Sequence, residues 1–248
     1  MHLSSFTLPP CATASSSEPL QTIKICGITS AYDAALTTSL FKSLVPTTSS
    51  APKLVLGTIL WPNSKRSVSL PTARTIRKTA EKDGVDTIGV FVDEDAETMM
   101  KVLDETGVRI AQLHGRVAKK SRKVLKMRGF RVVDVIHVER SGEWRDLEGI
   151  EENQGEIAGS DELHESWKLF DSGKGSGKCF DWKGFERPKG KWLLAGGLNP
   201  ENVGDAVRWL RPWGIDVASG VAGKDGCEKD GKKVQEFLEN ALEAAASK

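Results

Sequence analysis

WLLAGGLNPENVGDAVRWLRPWGIDVASGV, residues 192–221, contains two consecutive segments in which a short apolar run ends in small residues. Residues 192–195 form an apolar run of strand length. Asn199 and Pro200 then predict a helix N-cap followed by proline in the first turn. Residues 214–218 form a second short apolar run. The stretch therefore predicts two successive strand–turn–helix units.

Small residues follow both predicted strands. Gly196 and Gly197 follow the first, and Ser219 and Gly220 follow the second. Bare backbone N–H groups at the start of a helix stabilise a phosphate. Either pair alone is also typical of a tight turn. Two such corners in succession occur after strands seven and eight of many (β/α)8 barrels, so they predict one phosphate held between them.

The chain from residue 22 onward alternates between strand-like and helix-like segments. The predicted strands are 22–25, 54–60, 86–92, 109–113, 131–138, 167–170, 192–195 and 214–218. The predicted helical segments are 30–42, 71–82, 95–105, 118–127, a short turn at 180–185, a helix after Asn199, and 232–245. A repeat of about 28 residues leaves room for crossover connections, which give parallel strands.

The most economical architecture is an α/β fold of the (β/α)8 TIM-barrel type, a parallel eight-stranded barrel. Its least regular part is expected at residues 141–165, which are acidic and interrupted by glycine. The alternative is an open doubly wound sheet, which usually carries G-x-G-x-x-G after its first strand. No such motif follows the predicted first strand.

Length and composition favour one domain. The 248 residues are 39% hydrophobic and 28% charged, which suits a single barrel over residues 22–248. Residues 1–21 are rich in Ser, Thr, Ala and Pro and contain one acid and no Lys or Arg, so we expect a disordered N-terminal extension. Its composition partly resembles a transit peptide, although the missing arginine argues against one. A chloroplast location is the first expectation, and the cytoplasm is the alternative.

The charge balance and the spacing of the cysteines and histidines argue against several kinds of partner and site. A formal net charge of +1 gives no sign of a nucleic-acid partner. No apolar run approaches the roughly 20 residues that span a bilayer, so no membrane interaction is expected. The four cysteines form no C-x-x-C pair, which predicts free thiols. The four histidines show no metal-ligand spacing, and no metal is expected.

Two candidate catalytic residues follow predicted strands. Cys26 ends the first strand, and Asp171 ends the sixth. Residues in these positions converge on one face of a barrel. A thiol with a cation nearby can act as a base near neutral pH, and a carboxyl group across the pocket can act as its acid partner. The alternatives are a small buried apolar side chain for Cys26 and a helix cap for Asp171.

Three further features surround the mouth of the predicted barrel, the opening at the carboxyl ends of its strands. Arg66 follows the second strand, and its guanidinium suits a carboxylate or a sugar phosphate, although a solvated surface charge is the more common role for such a residue by itself. His114 follows the fourth strand and is expected to line the pocket only. Residues 172–179, SGKGSGKC, fail the P-loop pattern because Ser172 and Cys179 stand where Gly and Ser or Thr are required. A lid that closes over substrate is the preferred interpretation of this segment.

Seven motifs occur in order along the chain: KICGIT at 24–29, WPNSKR at 61–66, GVFV at 89–92, QLHG at 112–115, Asp171 before GKGSGK, FDW at 180–182, and AGGLNPEN at 195–202. Taken together, these motifs resemble phosphoribosylanthranilate isomerases of tryptophan biosynthesis. The similarity covers about residues 23–242. Trp61-Pro62 and the GKDG sequence at 223–226 are closest to the plant-like form.

The resemblance implies an Amadori rearrangement of N-(5-phosphoribosyl)anthranilate without metal or cofactor. It assigns the general base to Cys26, the general acid to Asp171 and the orientation of the substrate to Arg66. The implied phosphate corners are Gly196-Gly197 and Ser219-Gly220, and Asp216 is a further pocket residue. The implied partner is a small phosphorylated substrate, and the chain is expected to be a monomer or a weak homodimer.

Two departures from the family pattern, and two competing functions, remain. Residues 45–52 replace a compact approach to the second strand, and Ala218 stands where Ser is common, which removes a hydrogen bond of about 1 kcal/mol.

Another phosphate-binding barrel, such as indole-glycerol-phosphate synthase or tryptophan synthase α, would need Lys or Glu at the strand ends. A catalytically inactive barrel that binds phosphorylated ligands is the other alternative.

Overall fold

The computed structural model describes residues 20–46, 48, 51–144, 166–172 and 179–247. Eight parallel strands form a closed barrel in chain order. They are β1 (Thr22–Cys26), β2 (Lys53–Ile59), β3 (Asp86–Phe91), β4 (Ile110–Leu113), β5 (Arg131–His137), β6 (Trp167–Asp171), β7 (Trp192–Leu194) and β8 (Gly214–Val217). The pairing of β1 with β8, with Lys24 beside Asp216, closes the barrel. The predicted (β/α)8 architecture is therefore confirmed.

Helices connect the strands on the outside. In the described residues they are α1 (Ala31–Leu44), α2 (Leu70–Glu81), α3 (Ala96–Thr106), α4 (Arg116–Lys120), α5 (Arg122–Met127), α6 (Pro200–Leu210) and α7 (Gly231–Ala246). Short 3-10 turns lie at Trp182–Gly184 and Ser219–Val221. Asn199 caps α6 as predicted, because its side chain accepts a hydrogen bond from the backbone N–H of Asn202. The side chain of Asn202 in turn accepts one from the backbone N–H of Asn199, which completes a capping box. A short polar side chain satisfies free N–H groups at the start of α1, α2, α3, α6 and α7, whereas α4 and α5 begin without a side-chain cap.

Side chains along each strand point alternately toward the surrounding helices and toward the barrel interior, so the core has two layers. Ile23 and Ile25 of β1 are buried against the surrounding helices, and the residues between them face the barrel interior. Apolar residues from six other strands fill that interior, namely Val55, Ile88, Ile110, Val133, Val135, Leu169 and Leu193. The alternation places Lys24 and Cys26 inside the barrel, which is unusual for a lysine.

Most observed elements differ from the predicted ones by only a residue or two at their ends, and two differences change the local structure. The single helix predicted at 118–127 is two short helices, α4 and α5, because the N–H of Ser121 bonds to Ala118 O three residues back and tightens the turn. Strand β6 extends one residue further than predicted, so Asp171 is its last residue. The backbone of Asp171 is consequently fixed by its pairing with His137 of β5.

The predicted boundary between the extension and the barrel also needs correction. Leu20 is buried in the core, and the N–H of Gln21 donates to the carbonyl oxygen of Trp213 at 2.8 Å. Both residues therefore belong to the barrel, although the extension was predicted to reach residue 21. Residues 1–19, most of the segment at 141–165, and residues 173–178 of the predicted lid at 172–179 lie outside the described residues. Within the described residues, no helix is long and apolar enough to cross a membrane.

Candidate active site

Strand β1 brings a lysine and a cysteine to the interior of the barrel. Lys24 is fully buried, and its Nζ lies 2.9 Å from Oδ1 of Asp216 on β8. Burial alone would lower the pKa of Lys24, but the Asp216 carboxylate and the Cys26 thiol outweigh burial and leave that pKa raised. The sequence-predicted pocket residue Asp216 is therefore the buried counter-ion of Lys24, a role that spacing along the chain did not indicate.

Cys26 lies two residues beyond Lys24 on the same face of β1 and is only 6% exposed. Burial raises the pKa of the Cys26 thiol; Lys24 opposes that rise, the Asp216 carboxylate adds to it, and Lys229 opposes it to a smaller extent. A Cβ on Gly57 of β2 would lie 2.8 Å from the Cys26 Sγ, so the thiol occupies space that only glycine leaves open. The thiol is thus held at the end of β1 within a group of buried charges of both signs.

Asp171 and His114 form a second pair at the same end of the barrel. The Nε2 of His114, which follows β4, lies 3.3 Å from Oδ2 of Asp171 at the end of β6. The Asp171 carboxylate is also close enough to add to the pKa of Asp216, which burial raises and Lys24 lowers. The structure therefore brings Asp171 to the same buried group of charges as Lys24. His114 contacts the predicted acid directly, a contact that the expectation of pocket lining did not include.

The two glycine corners meet. Gly196 and Gly197 have φ values of +86° and +71°, a left-handed conformation that suits glycine. Within the described part of the chain, neither N–H group donates a hydrogen bond to the protein. A Cβ on Gly220 would overlap the carbonyl oxygen of Leu198, so the corner after β8 packs directly on the corner after β7. Adjacent, unused N–H donors are what an anion requires.

Cys179 ties the far end of the predicted lid to the first corner. Its Sγ donates to the carbonyl oxygen of Gly197 at 3.2 Å, and Asn202 Nδ2 donates to the same Sγ at 3.2 Å. A Cβ on Gly196 would lie 2.8 Å from Oδ1 of Asp171. The first phosphate corner therefore touches both the predicted acid and the end of the lid segment.

Arg66 reaches the mouth from the loop after β2. Its Nε donates to the carbonyl oxygen of Gly226 at 2.7 Å, in the loop before α7. A Cβ on Gly27 would lie 2.7 Å from Arg66 Cδ, so the side chain crosses directly over the turn that follows Cys26. The guanidinium is thus fixed near the predicted base and keeps its other N–H groups for a ligand.

Lys229, like the pairing of Lys24 with Asp216, is a feature of this region that sequence reasoning missed. It is 6% exposed, and its Nζ donates to Cys26 O at 2.6 Å and to Ala218 O at 3.1 Å. Its position in a charged, glycine-rich loop gave no sign of burial. Among the described residues, no group of His, Cys, Asp or Glu could hold a metal ion.

Comparison with known proteins identifies the family of this chain. The family model described as N-(5'-phosphoribosyl)anthranilate (PRA) isomerase matches residues 34–240. The chain belongs to this family. N-(5'-phosphoribosyl)anthranilate isomerase 1, chloroplastic, of Arabidopsis thaliana is a family member 38% identical to it over 221 residues, which cover 87% of this chain and 73% of that protein.

Solved structures of PRA isomerases share the fold. TrpF from Jonesia denitrificans matches with a TM-score of 0.71 and 27% identity, over 92% of this chain and all of the other. A phosphoribosyl anthranilate isomerase in complex with reduced 1-(o-carboxyphenylamino)-1-deoxyribulose 5-phosphate matches with a TM-score of 0.64 and 27% identity, over 90% and 99% of the two chains. The resemblance inferred from the ordered motifs is therefore confirmed.

Proposed function

We propose that this chain catalyses the reaction for which the PRA isomerase family is named, the Amadori rearrangement of N-(5-phosphoribosyl)anthranilate to 1-(2-carboxyphenylamino)-1-deoxyribulose 5-phosphate. The observation that carries the proposal is the position of Cys26 and Asp171 at the carboxyl ends of β1 and β6, beside two glycine corners with unused N–H groups. In a (β/α)8 barrel this end holds the active site.

The phosphate of the substrate binds first in this scheme. The N–H groups of Gly196 and Gly197, with Ser219 and Gly220 from the neighbouring corner, surround the phosphate oxygens. Arg66 lies on the β1 side of the mouth, where its guanidinium pairs with the anthranilate carboxylate. Binding at both ends fixes the sugar between them, and this positioning lowers the entropic cost of the chemical steps.

Asp171 then acts as general acid. It protonates the furanose ring oxygen, the bond between that oxygen and C1 breaks, and the anthranilate nitrogen supplies the electron pair that forms a protonated Schiff base. His114, 3.3 Å from the carboxylate, holds the Asp171 side chain at the mouth. Contact of Gly196 with Asp171 Oδ1 keeps the acid beside the phosphate corner.

Cys26 completes the isomerisation as general base. Its thiolate removes the proton from C2, the C1–nitrogen double bond takes the electrons, and the resulting enolamine tautomerises to the ketone. Burial raises the pKa of this thiol, so the ionised fraction is small, but each thiolate is a correspondingly stronger base. Lys24 lies beneath it as a permanent cation that favours the ionised form.

The decisive assay mixes freshly prepared N-(5-phosphoribosyl)anthranilate with the purified full-length protein and follows the loss of substrate fluorescence. We expect accelerated decay that yields the ketose product and is inhibited by inorganic phosphate. Decay no faster than in buffer, with folded protein, would favour an inactive barrel that only binds phosphorylated ligands. Activity on the ketose product instead would favour the indole-glycerol-phosphate synthase alternative.

The location and assembly of the chain are separate proposals. The Arabidopsis relative is named chloroplastic, which supports a plastid location for this chain, with the cytoplasm as the alternative. Residues 1–21 would then act as a targeting extension, although the barrel itself begins at Leu20. Mass spectrometry of the mature N-terminus tests cleavage, and a fluorescent fusion with and without residues 1–19 tests location. Sedimentation distinguishes between the two expected states, a monomer and a weak homodimer.

A further inference from the structure

The ammonium group of Lys229 is buried among backbone carbonyl groups. Its Nζ donates to Cys26 O at 2.6 Å and to Ala218 O at 3.1 Å, at the ends of β1 and β8. In the described chain, no carboxylate contacts this ammonium directly. Burial of a charge without a direct counter-ion costs several kcal/mol, and a neutral donor could join the same two carbonyl groups. The position therefore needs an explanation beyond joining two strands.

The backbone around Lys229 is fixed independently of its side chain. Its N–H donates to Oδ1 of Asp33 on α1 at 3.2 Å, and Lys229 forms an isolated antiparallel bridge with Ala222. Asp33 is itself buried and accepts a hydrogen bond from Thr29 at 3.1 Å. The side chain consequently extends from a rigid segment toward the residue that carries the predicted base.

We propose that Lys229 is a positioning residue of the active site, whose ammonium group, anchored on the carbonyl oxygen of Cys26, stabilises the thiolate of Cys26 as a second cation beside Lys24. The proposal rests on the function proposed above. Lys24 is locked to Asp216, so part of its charge is neutralised within the buried pair. Lys229 has no such partner at contact distance, and its field at the thiol is less compensated.

The titration of Lys229 links this stabilisation to pH. Burial lowers the pKa of Lys229 to about 8. The charged or titratable groups around it are Cys26 and Lys24 on β1, Arg66 from the loop after β2, Asp33 on α1, Asp216 on β8 and, next to Asp216, Asp171 on β6. As Lys229 loses its proton, the thiolate loses a cation, so the two groups titrate as a coupled pair.

The test measures the ionisation of the Cys26 thiol directly, in the full-length protein without substrate. The ultraviolet absorbance of the thiolate is followed against pH, and the same chain with Cys26→Ser is subtracted to isolate this one group. Lys229→Gln removes the charge and keeps N–H donors for the two carbonyl groups, whereas Lys229→Arg keeps the charge. Lys233→Gln is the matched control, because Lys233 Nζ also donates to a backbone carbonyl, that of Ala222 at 3.0 Å, from the start of α7.

We expect Lys229→Gln to reduce the thiolate fraction of Cys26 about 10-fold at neutral pH, the effect of losing one opposite charge at short range. Its kcat/KM should fall by a smaller factor, because each remaining thiolate is a stronger base, and should recover toward alkaline pH. Lys229→Arg and Lys233→Gln should retain the thiolate fraction. An unchanged Cys26 titration in folded Lys229→Gln would overturn the proposal.

Two results keep the outcome separate from other failures. If Lys229→Gln does not fold, Lys229→Arg still tests the proposal. A permanent cation at position 229 should remove the coupled step near pH 8 from the Cys26 titration. Persistence of that step would overturn the proposal. The thiolate absorbance needs no turnover. An active Cys26→Ser variant would therefore contradict the proposed base while leaving the effect of Lys229 on the thiol measurable.

Discussion

Lys24 Nζ and Asp216 Oδ1, 2.9 Å apart, form a buried ion pair that joins the first strand of the barrel to the last. The two residues are register partners at the seam where β1 and β8 close the sheet, and Cys26 lies two residues further along β1. The pair therefore serves closure of the barrel and the electrostatics of the thiol together.

Asp216→Asn should destabilise the protein by about 3–5 kcal/mol, because it leaves the fully buried Lys24 ammonium without its counter-ion. Chemical denaturation at neutral pH measures the free energy of unfolding. The double variant Lys24→Met with Asp216→Leu should regain most of that loss, since no unpaired charge remains.

Asp205→Asn is the matched control for that prediction. Asp205 pairs with Arg208 at 2.7 Å, but both side chains are more than half exposed. Its loss should cost less than about 1 kcal/mol. Equal destabilisation by Asp216→Asn and Asp205→Asn would show that the seam pair is no more important than a surface pair.

Cys26→Ser and Asp171→Asn should each lower kcat by about 100-fold or more, because a serine hydroxyl is a poor base at neutral pH and an amide cannot donate the required proton. Binding of a reduced product analogue should remain close to normal, since neither side chain forms the phosphate corner. Steady-state kinetics and calorimetric titration measure the two effects. Cys227→Ser, a partly exposed thiol in the loop before α7, should retain kcat. A near-normal kcat in either of the first two variants would remove that residue from its role.

Gly197→Asp should raise KM for the substrate and the inhibition constant of inorganic phosphate at least about 10-fold, because a carboxylate then faces the phosphate. Gly84→Asp controls for backbone strain, since Gly84 has a φ of +70°, against +71° for Gly197, with open space around it. Equal inhibition constants for phosphate in the two variants would contradict the two-corner site.

The sequence predicted the framework and the mouth for physical reasons that can be traced. Strand positions followed from short apolar runs between polar turns, as at Trp192–Leu194. The start of α6 followed from Asn199 and Pro200, whose capping chemistry depends on neighbours in the chain. Cys26 and Asp171 followed from one rule, that the ends of parallel strands in a barrel converge.

The missed features depend on partners far apart in the chain. Lys24 is a conspicuous charge in an apolar strand, but Asp216, its counter-ion, lies 192 residues away. Lys229 contacts the carbonyl oxygen of Cys26 across 203 residues. Local periodicity carries no information about such pairs. One signal could have been used. A lysine at an inward-facing position of a strand needs a counter-ion, and this could have prompted a search for an acid on a neighbouring strand.

The low pKa of Lys229 also makes a prediction about stability. The pKa is 10.5 for an ordinary lysine and about 8 in the folded chain, so between these values the unfolded chain binds more protons and stability rises with pH. The burial penalty is fully present below pH 8 and disappears above 10.5, a change of roughly 3 kcal/mol. In the Cys26→Ser background, which removes the thiol titration, the unfolding free energy should rise more steeply across this range with Lys229 than with Lys229→Met. Lys233→Met should not change the slope, and parallel curves for Lys229 and Lys229→Met would show that Lys229 titrates normally.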